Sequence, residues 1–298
     1  MVYPFIKWAG GKRQLLPIIK KYYPFEQGIT KYVEPFLGGG AVLFDVLNNF
    51  DIDEVYVNDV NPDLVNTYLV IRNHPKKLIK ALENMDKMYK TLASDESRKN
   101  YYEIQRITFN CLKNVLSLPM ASRIEKAAIF LFLNKTCFNG LYRVNSAGKF
   151  NVPFGCYKNP TICDKENILA ASKKLKKVKI KCGSYNKLLN VIDENTFVFL
   201  DPPYRALNKT SSFNAYAKDS FGDKEQKELS EFIKKIDKAG ALFVLCNSDP
   251  HNADPNDNFF DDMYADFTIN RIPATRMINS DASKRGSINE LLITNITI

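Results

Sequence analysis

Histidine is nearly missing from this chain. Two stand among 298 residues, and none of the six cysteines forms a Cys-x-x-Cys pair. Zinc sites draw on those two residue types at short spacings, so an ordinary zinc centre is excluded. Cysteines at 111, 137, 156, 163, 182 and 246 are too thinly spread for a disulfide framework and suit a reducing compartment. No apolar run approaches the ~20 residues that span a bilayer. The opening MVYPFIKWAGGKRQ has neither the apolar stretch nor the cleavage site of a signal peptide. A cytoplasmic protein with no membrane partner is expected. Internal repeats and low-complexity tracts are absent as well. With 45% apolar residues the chain can build a packed core, as one large domain or two smaller ones.

Positive charge is in excess, at +9 net, and it is unevenly placed. Residues 61 to 181 hold 23 of the 42 Lys and Arg but only 9 of the 33 Asp and Glu, so the remainder is net acidic. A lysine-rich proteome would scatter the excess everywhere. Concentration in the middle points instead to a face turned toward a polyanion.

The flanks of this basic block alternate strand and helix patterns. KYVEPF (31–36) and EVYVNDV (54–60) read as strands on either side of a helix, AVLFDVLNN (41–49), that glycines open. From Pro62 to about Lys135 apolar residues recur at three- and four-residue spacings, which predicts a run of helices. FNGLYRVNSAGKFNVPFG (138–155) breaks that period and reads as a loop and hairpin. Alternation resumes with KVKIKCGSY (177–185), TFVFL (196–200), a helix over 224–240 and a strand over 241–248. FTINRIP and INELLITNI follow as strand-like runs joined by a polar segment around Ser280 to Gly286. An α/β fold with a parallel doubly wound sheet is expected, interrupted by the basic helical block.

Three motifs carry chemistry. FLGGGAV follows a strand and opens a helix, with Gly38 and Gly40 at the first two positions of a dinucleotide-type fingerprint and Leu43 where its third glycine would be. Asp59 lies 21 residues beyond Gly38, where a Rossmann-like fold sets a carboxylate on ribose hydroxyls. The truncated fingerprint suits an adenosine cofactor other than a dinucleotide; a tight turn is the plainer alternative. WAGGKR (8–13) fails as a phosphate loop, with Ile6 and Arg13 at positions that need Gly and Ser or Thr. Its glycines would let Trp8 and Lys12 approach a ligand, although Trp8 could equally be a core aromatic.

The third motif is Asp201-Pro202-Pro203-Tyr204, at the end of the apolar strand TFVFL. Paired prolines stiffen the chain where Asp201 and Tyr204 leave the sheet. Beside an adenosine cofactor this arrangement suits attack by an aromatic exocyclic amine, whose lone pair is delocalised into its ring. Accepting the amine hydrogens on the Asp201 carboxylate and the Pro202 carbonyl would free that lone pair, while Tyr204 would stack on the base. A base within a duplex reaches such a pocket only after flipping out.

KWAGG-K (7–12), EPFLGGGAV (34–42), ND (58–59), FNGLYRVNS-GKFNVPFG (138–155) and LDPPY (200–204) occur together in this order. In that combination the chain resembles the Dam-type DNA adenine-N6 methyltransferases, which include methylases of restriction-modification systems, over nearly its whole length. The resemblance implies a Rossmann-like methyltransferase sheet with an inserted helical, basic target-recognition domain. Residues 1–60 and 166–298 would form the catalytic, cofactor-binding domain, and 61–165 the insertion with hairpin 138–155. It implies S-adenosylmethionine contacts at Trp8, Lys12, Asp59 and Asp201, and around the methionine part at Glu34, Pro35, Phe36, Gly38 and Gly40. The catalytic tetrad would be Asp201, Pro202, Pro203 and Tyr204. Lys7, Phe138, Asn139, Leu141, Arg143 and Pro153 fall in segments that read and open double-stranded DNA, with GATC as the implied site. A cognate restriction endonuclease would be a partner in the same system, with no physical complex implied.

Two positions depart from the family pattern. Ser184 stands where some members carry an acid, and Cys156 where relatives often have arginine, which removes one possible DNA contact. Arg143 fits the resemblance on physical grounds, since a guanidinium pairs two-pronged with guanine O6 and N7. A phosphate contact or a surface salt bridge is its alternative. The lysines of KKLKKVKIK (173–181) read as a solvated helix face. Methylation of cytosine N4 uses the same tetrad chemistry and is the competing activity. A non-catalytic DNA-binding module of the same fold is the competing class, and it would have no need of an intact tetrad with Trp8, Lys12 and Asp59.

Overall fold

A computed structural model describes residues 1–205, 221–275 and 287–297. Seven strands form one sheet: β1 (Lys31–Glu34), β2 (Glu54–Asp59), β3 (Val178–Cys182), β4 (Thr196–Leu200), β5 (Leu242–Ser248), β6 (Thr268–Thr275) and β7 (Ser287–Thr294). Their order is β3-β2-β1-β4-β5-β7-β6. The first five are parallel, as the alternating pattern predicts, whereas β7 runs antiparallel to both β5 and β6. The sheet is therefore mixed. Antiparallel strands need only a short connection, and β6 and β7 are consecutive in the chain. The polar segment expected around Ser280 to Gly286 lies outside the described residues.

β4 is buried at every residue. Phe197 and Phe199 enter the core on one face of the sheet, and Val198 and Leu200 enter the core on the other. This is why its sequence reads as an unbroken apolar run. The second face is covered by α8 (Asp223–Lys238), through Leu229, Phe232, Ile233 and Ile236.

The first face carries α1 (Leu16–Ile19), α2 (Ala41–Asn49), α3 (Pro62–Asn73), α4 (Pro75–Thr91), α5 (Asp95–Cys111), α6 (Met120–Thr136) and α7 (Lys165–Leu175). α9 (Phe259–Met263) is one short turn beyond β5. Caps explain the boundaries. Asn61 accepts from the Asp63 and Leu64 amides with Pro62 at the first turn of α3, and Ser94 closes a capping box with Ser97 on α5. α6 is buried nearly all round from Ile124 to Leu133, so it forms the axis of the helical block. Leu78, Leu82, Tyr89, Tyr102 and Phe109 pack around it in the same continuous core as the sheet.

Not all the basic residues of this block face outward. Lys126 is 5% exposed and donates to the Phe109 and Leu112 carbonyls, capping the end of α5. Arg72 donates to the Val178 carbonyl at the entrance of β3. Among the described residues no helix is long and apolar enough to cross a membrane.

The segment 138–155 is less regular than a ladder hairpin. Antiparallel bridges join Cys137 to Phe154 and Val144 to Phe150, and the Gly155, Phe138, Asn151 and Asn145 amides donate across the arms to the Thr136, Pro153, Arg143 and Lys149 carbonyls. Positive φ at Asn139 (54°) and Gly140 (65°) turns the incoming arm aside. Side chains also pin it to α5, since Tyr102 donates to the Val152 carbonyl and Asn110 exchanges two hydrogen bonds with Phe150.

Candidate active site

Side-chain alternation along the strands sets the site. Val55 and Val57 on β2, Tyr32 on β1, Phe197 and Phe199 on β4, Cys246 on β5 and Leu292 on β7 all enter the first core. One further step of two residues on that face reaches Asp59, Glu34, Asp201 and Glu290. The parallel strands bring the first three to their carboxyl ends. β7 runs the other way, so the beginning of β7 reaches the same edge, where Glu290 pairs with Ser248. The result is a row of carboxylates where strand order reverses between β1 and β4, the crevice in which open α/β sheets bind ligands.

Lys12, 4% exposed, reaches into this row from the amino-terminal loop. Its Nζ stands 2.8 Å from Asp201 Oδ1 and donates to the Gly10 carbonyl at 2.6 Å. Burial alone would depress the Lys12 ammonium, but the Asp201 carboxylate opposes it and the net shift is upward. Asp201 is likewise raised, first by burial and further by Glu290, against the pull of Lys12. Asp201 thus ionises at a higher pH than an ordinary aspartate, and Lys12 remains a cation.

The backbone of the tetrad is held by two fully buried amides. Gln226 on α8 donates to the Pro203 carbonyl at 3.1 Å and accepts from Asn247 on β5 at 3.1 Å. Asn247 Oδ1 in turn accepts from the Arg205 amide. Arg205 ends this segment on the Asp223 and Asp257 carboxylates. Tyr204 lies with its ring 4.7 Å from Lys12 Nζ, and its hydroxyl donates to Glu290 at 2.6 Å. A carboxylate and a stiff proline backbone are thereby presented beside a fixed aromatic ring. That set can accept the hydrogens of an aromatic amine.

The glycine loop turns from β1 into α2 over Leu37 to Gly40, closed by the Gly40 amide on the Leu37 carbonyl. Gly38 (φ 48°) and Gly40 (φ 69°) adopt the left-handed region. A Cβ on Gly40 would stand 2.5 Å from the Tyr68 hydroxyl, and one on Gly38 2.9 Å from Trp8 Cδ1. Asp59 accepts from the Gly38 amide at 2.9 Å and the Asn61 amide at 2.8 Å. Burial still raises its carboxyl, outweighing those bonds. Glu34, 2% exposed, accepts from the Tyr32 hydroxyl at 2.7 Å, and burial holds it well above the usual carboxylate range.

Trp8 is part of the cleft rather than of the deep core. It covers Gly38 and Gly39, stacks on Tyr142 at 5.5 Å and 23°, and has the Phe130 ring 6.5 Å away. Phe36, Tyr185 and Phe221 make an aromatic wall, with Phe36 5.3 Å from Tyr185 and 6.0 Å from Phe221. Together with Pro35, Asp59 and the tetrad these groups enclose a cleft of about 780 Å³. Ser184 also lines it, while its hydroxyl caps the turn at Asn186.

The residues expected to touch DNA gather on a neighbouring surface. Asn134 on α6 exchanges hydrogen bonds with the Lys7 backbone and also donates to the Gly140 carbonyl, and the Lys7 side chain fills the space a Gly140 Cβ would need. The Phe138 amide donates to the Pro153 carbonyl, leaving the Phe138 ring 52% exposed with Asn139 and Pro153 exposed beside it. Leu141 is half-buried against the core. Arg143 is exposed, and its guanidinium rests on Asn151 at 2.9 Å. Cys156 is exposed too, with φ 55°.

Sequence reasoning passed over Glu290, Gln226, Asn247, Tyr142, Tyr185 and Phe221. Glu290 offered one sign, a carboxylate at the entrance of the otherwise apolar run LLIT. The others look like ordinary helix, strand and loop residues until the fold brings them together.

Residues 8–278 match the family model of the D12 class N6 adenine-specific DNA methyltransferases. The chain is 45% identical over 298 residues to the type II methyltransferase M.MjaIII of Methanocaldococcus jannaschii, covering 99% of each. It is 36% identical to the type II methyltransferase M1.LlaDCHI of Lactococcus lactis subsp. cremoris, covering 98% of this chain and 95% of the relative. A DNA adenine methylase of Haemophilus influenzae is 31% identical, over 97% of this chain and 92% of its own length.

Proposed function

Because the chain belongs to the D12 class of N6 adenine-specific DNA methyltransferases, its reaction is methylation of adenine in DNA, and we propose that the cleft beneath Trp8 takes S-adenosylmethionine as donor. The observation that carries this reading is the row Asp59, Glu34, Asp201 and Glu290 beside an aromatic-walled cleft of about 780 Å³. Lys12 pairs with Asp201 and burial disfavours an ionised Glu34, while Asp59 lines the cleft as an acceptor, a setting that suits a ligand carrying positive charge next to an aromatic ring system. In this reading Asp59 takes the ribose hydroxyls, and Glu34, Pro35, Phe36, Gly38 and Gly40 surround the methionine part. When bound, the donor supplies an electrophilic methyl group on a sulfonium.

The acceptor side is built from this chain's own groups. Asp201 and the Pro202 carbonyl accept the hydrogens of adenine N6, which turns its lone pair out of conjugation toward the methyl group. Tyr204 offers a ring face to the flipped base, and Pro203 is held through Gln226 so that the acceptors do not drift. We assign 1–60 with 166–298 to catalysis and cofactor binding, and 61–165 to target recognition on the strength of its basic excess. Exposed Phe138, Asn139 and Pro153 with Lys7, Leu141 and Arg143 would open and read the duplex. GATC is the proposed site, supported by the NGLYRVN segment. The names of the two type II methyltransferases support a role beside a cognate endonuclease.

Methylating mixed-sequence DNA with the purified protein and mapping modified bases by single-molecule sequencing tests this reading. N6-methyladenine confined to GATC is expected. Another sequence would defeat the site assignment, and N4-methylcytosine would defeat the amine assignment.

A further inference from the structure

Tyr204 is held at two points. Its ring lies 4.7 Å from the Lys12 ammonium, and its hydroxyl donates to Glu290 Oε2 at 2.6 Å. The ring also packs on the first core, but the hydroxyl contact is the polar one that fixes its direction, because a cation near a π-face sets no in-plane direction. Glu290 is half-buried on β7 and belongs to none of the motifs that carry the chemistry. It reaches the tetrad only because β7 is reversed, which sets its beginning beside Ser248, and Ser248 Oγ donates to the Arg205 carbonyl just past the tetrad. The Glu290 carboxylate stands in a row with Asp201 and buried Cys246, and among the described residues Lys12 is the cation that acts on Asp201. A neutral acceptor would hold a tyrosine hydroxyl with less repulsion.

We propose that Glu290 is a positioning residue for methyl transfer, locking the Tyr204 ring in the orientation that stacks on the flipped adenine. The proposal rests on the reading of Tyr204 as the base-stacking member of the tetrad. Glu290 touches neither methyl donor nor amine; it acts through Tyr204. Its charge has a second consequence, since it faces Asp201 from β7 while Lys12 faces Asp201 from the amino-terminal loop. Removing that charge lowers the pH at which Asp201 ionises.

The test uses the full chain with Glu290→Ala, Glu290→Gln, Tyr204→Phe and the double variant Glu290→Ala/Tyr204→Phe. Single-turnover methylation is followed across pH, with a GATC duplex carrying 2-aminopurine at the target adenine as a separate fluorescence probe of base capture. Glu290→Ala and Tyr204→Phe should each slow transfer by about tenfold and leave more 2-aminopurine unquenched, and the double variant should be no slower than either single. Glu290→Gln, which keeps an acceptor oxygen, should recover the parent rate to within about threefold and move the acid limb to lower pH. Multiplying losses in the double variant, or Glu290→Gln as slow as Glu290→Ala, would overturn the proposal. If Tyr204→Ala leaves 2-aminopurine emission no higher than in the parent complex, the stacking reading fails and takes the proposal with it. If Glu290→Ala does not fold, Glu290→Gln and Tyr204→Phe still decide through the pH shift and the quenching.

Discussion

Replacing Asp59 by alanine separates an effect on folding from an effect on ligand binding. In the free protein Asp59 accepts from the Gly38 and Asn61 amides, so alanine leaves two N–H groups unpaired. Both sit at the rim of an open cleft where water can replace the carboxylate, which limits the loss to about 1 kcal/mol each. Against this, burial already holds the Asp59 carboxyl above its ordinary pKa, so its ionised form is less favourable in the folded chain than in the unfolded one. Alanine removes that penalty. The two contributions oppose, and the melting temperature should move by no more than roughly 3 °C. Binding has no such compensation. Two ribose hydroxyls donating to a charged acceptor contribute about 1.5–3 kcal/mol each, so losing them should raise the Kd for S-adenosylmethionine on the order of 100-fold or more. Asp59→Asn, which keeps one acceptor oxygen, should fall between. Calorimetric titration beside thermal melting gives both quantities. A Kd within about threefold of the parent would refute the ribose assignment, and a large melting shift with unchanged Kd would make Asp59 a purely structural clamp on the glycine loop.

Gly40→Ala meets both a positive φ and the fully buried Tyr68 hydroxyl 2.5 Å from the new Cβ. It should lose about 2–3 kcal/mol of stability, read as a lower melting temperature, and an unchanged melt would mean the loop relaxes freely. Lys12→Met removes the cation that lowers the Asp201 pKa, so the acid limb of the pH–rate profile should move to higher pH. An unmoved limb would separate Lys12 from Asp201 ionisation. Arg143→Ala should weaken binding to GATC by about 1–3 kcal/mol and much less on altered sites if the guanidinium reads a guanine. A uniform loss with a flatter salt dependence would make it a phosphate contact.

The parallel part of the sheet and its glycine turn were legible because their physics is local. TFVFL is buried on both faces and so reads as a strand, prolines end it, and glycines at positive φ mark the turn under Trp8. The reversal of β7 was hidden, since strand direction depends on which neighbour a strand finds rather than on its own residues. Glu290 was hidden for the same reason. The basic block is partly structural in a way that charge counting misses, because Lys126 and Arg72 spend their donors on helix and strand carbonyls. The hairpin was legible from its turn residues, but its anchoring was not: Tyr102 and Asn110 on α5 tie it to the helical block.

The claim at the centre of this account is that Asp201 accepts the amine hydrogens as methyl transfers. Asp201→Asn keeps the shape of the side chain and an oxygen for hydrogen bonding but removes the charge that draws the lone pair out. Single-turnover methylation of a GATC duplex by this variant, with DNA affinity measured in parallel, tests the claim directly. The rate should fall by about 10²- to 10³-fold while DNA binding stays near that of the parent. Near-normal turnover by Asp201→Asn would contradict it.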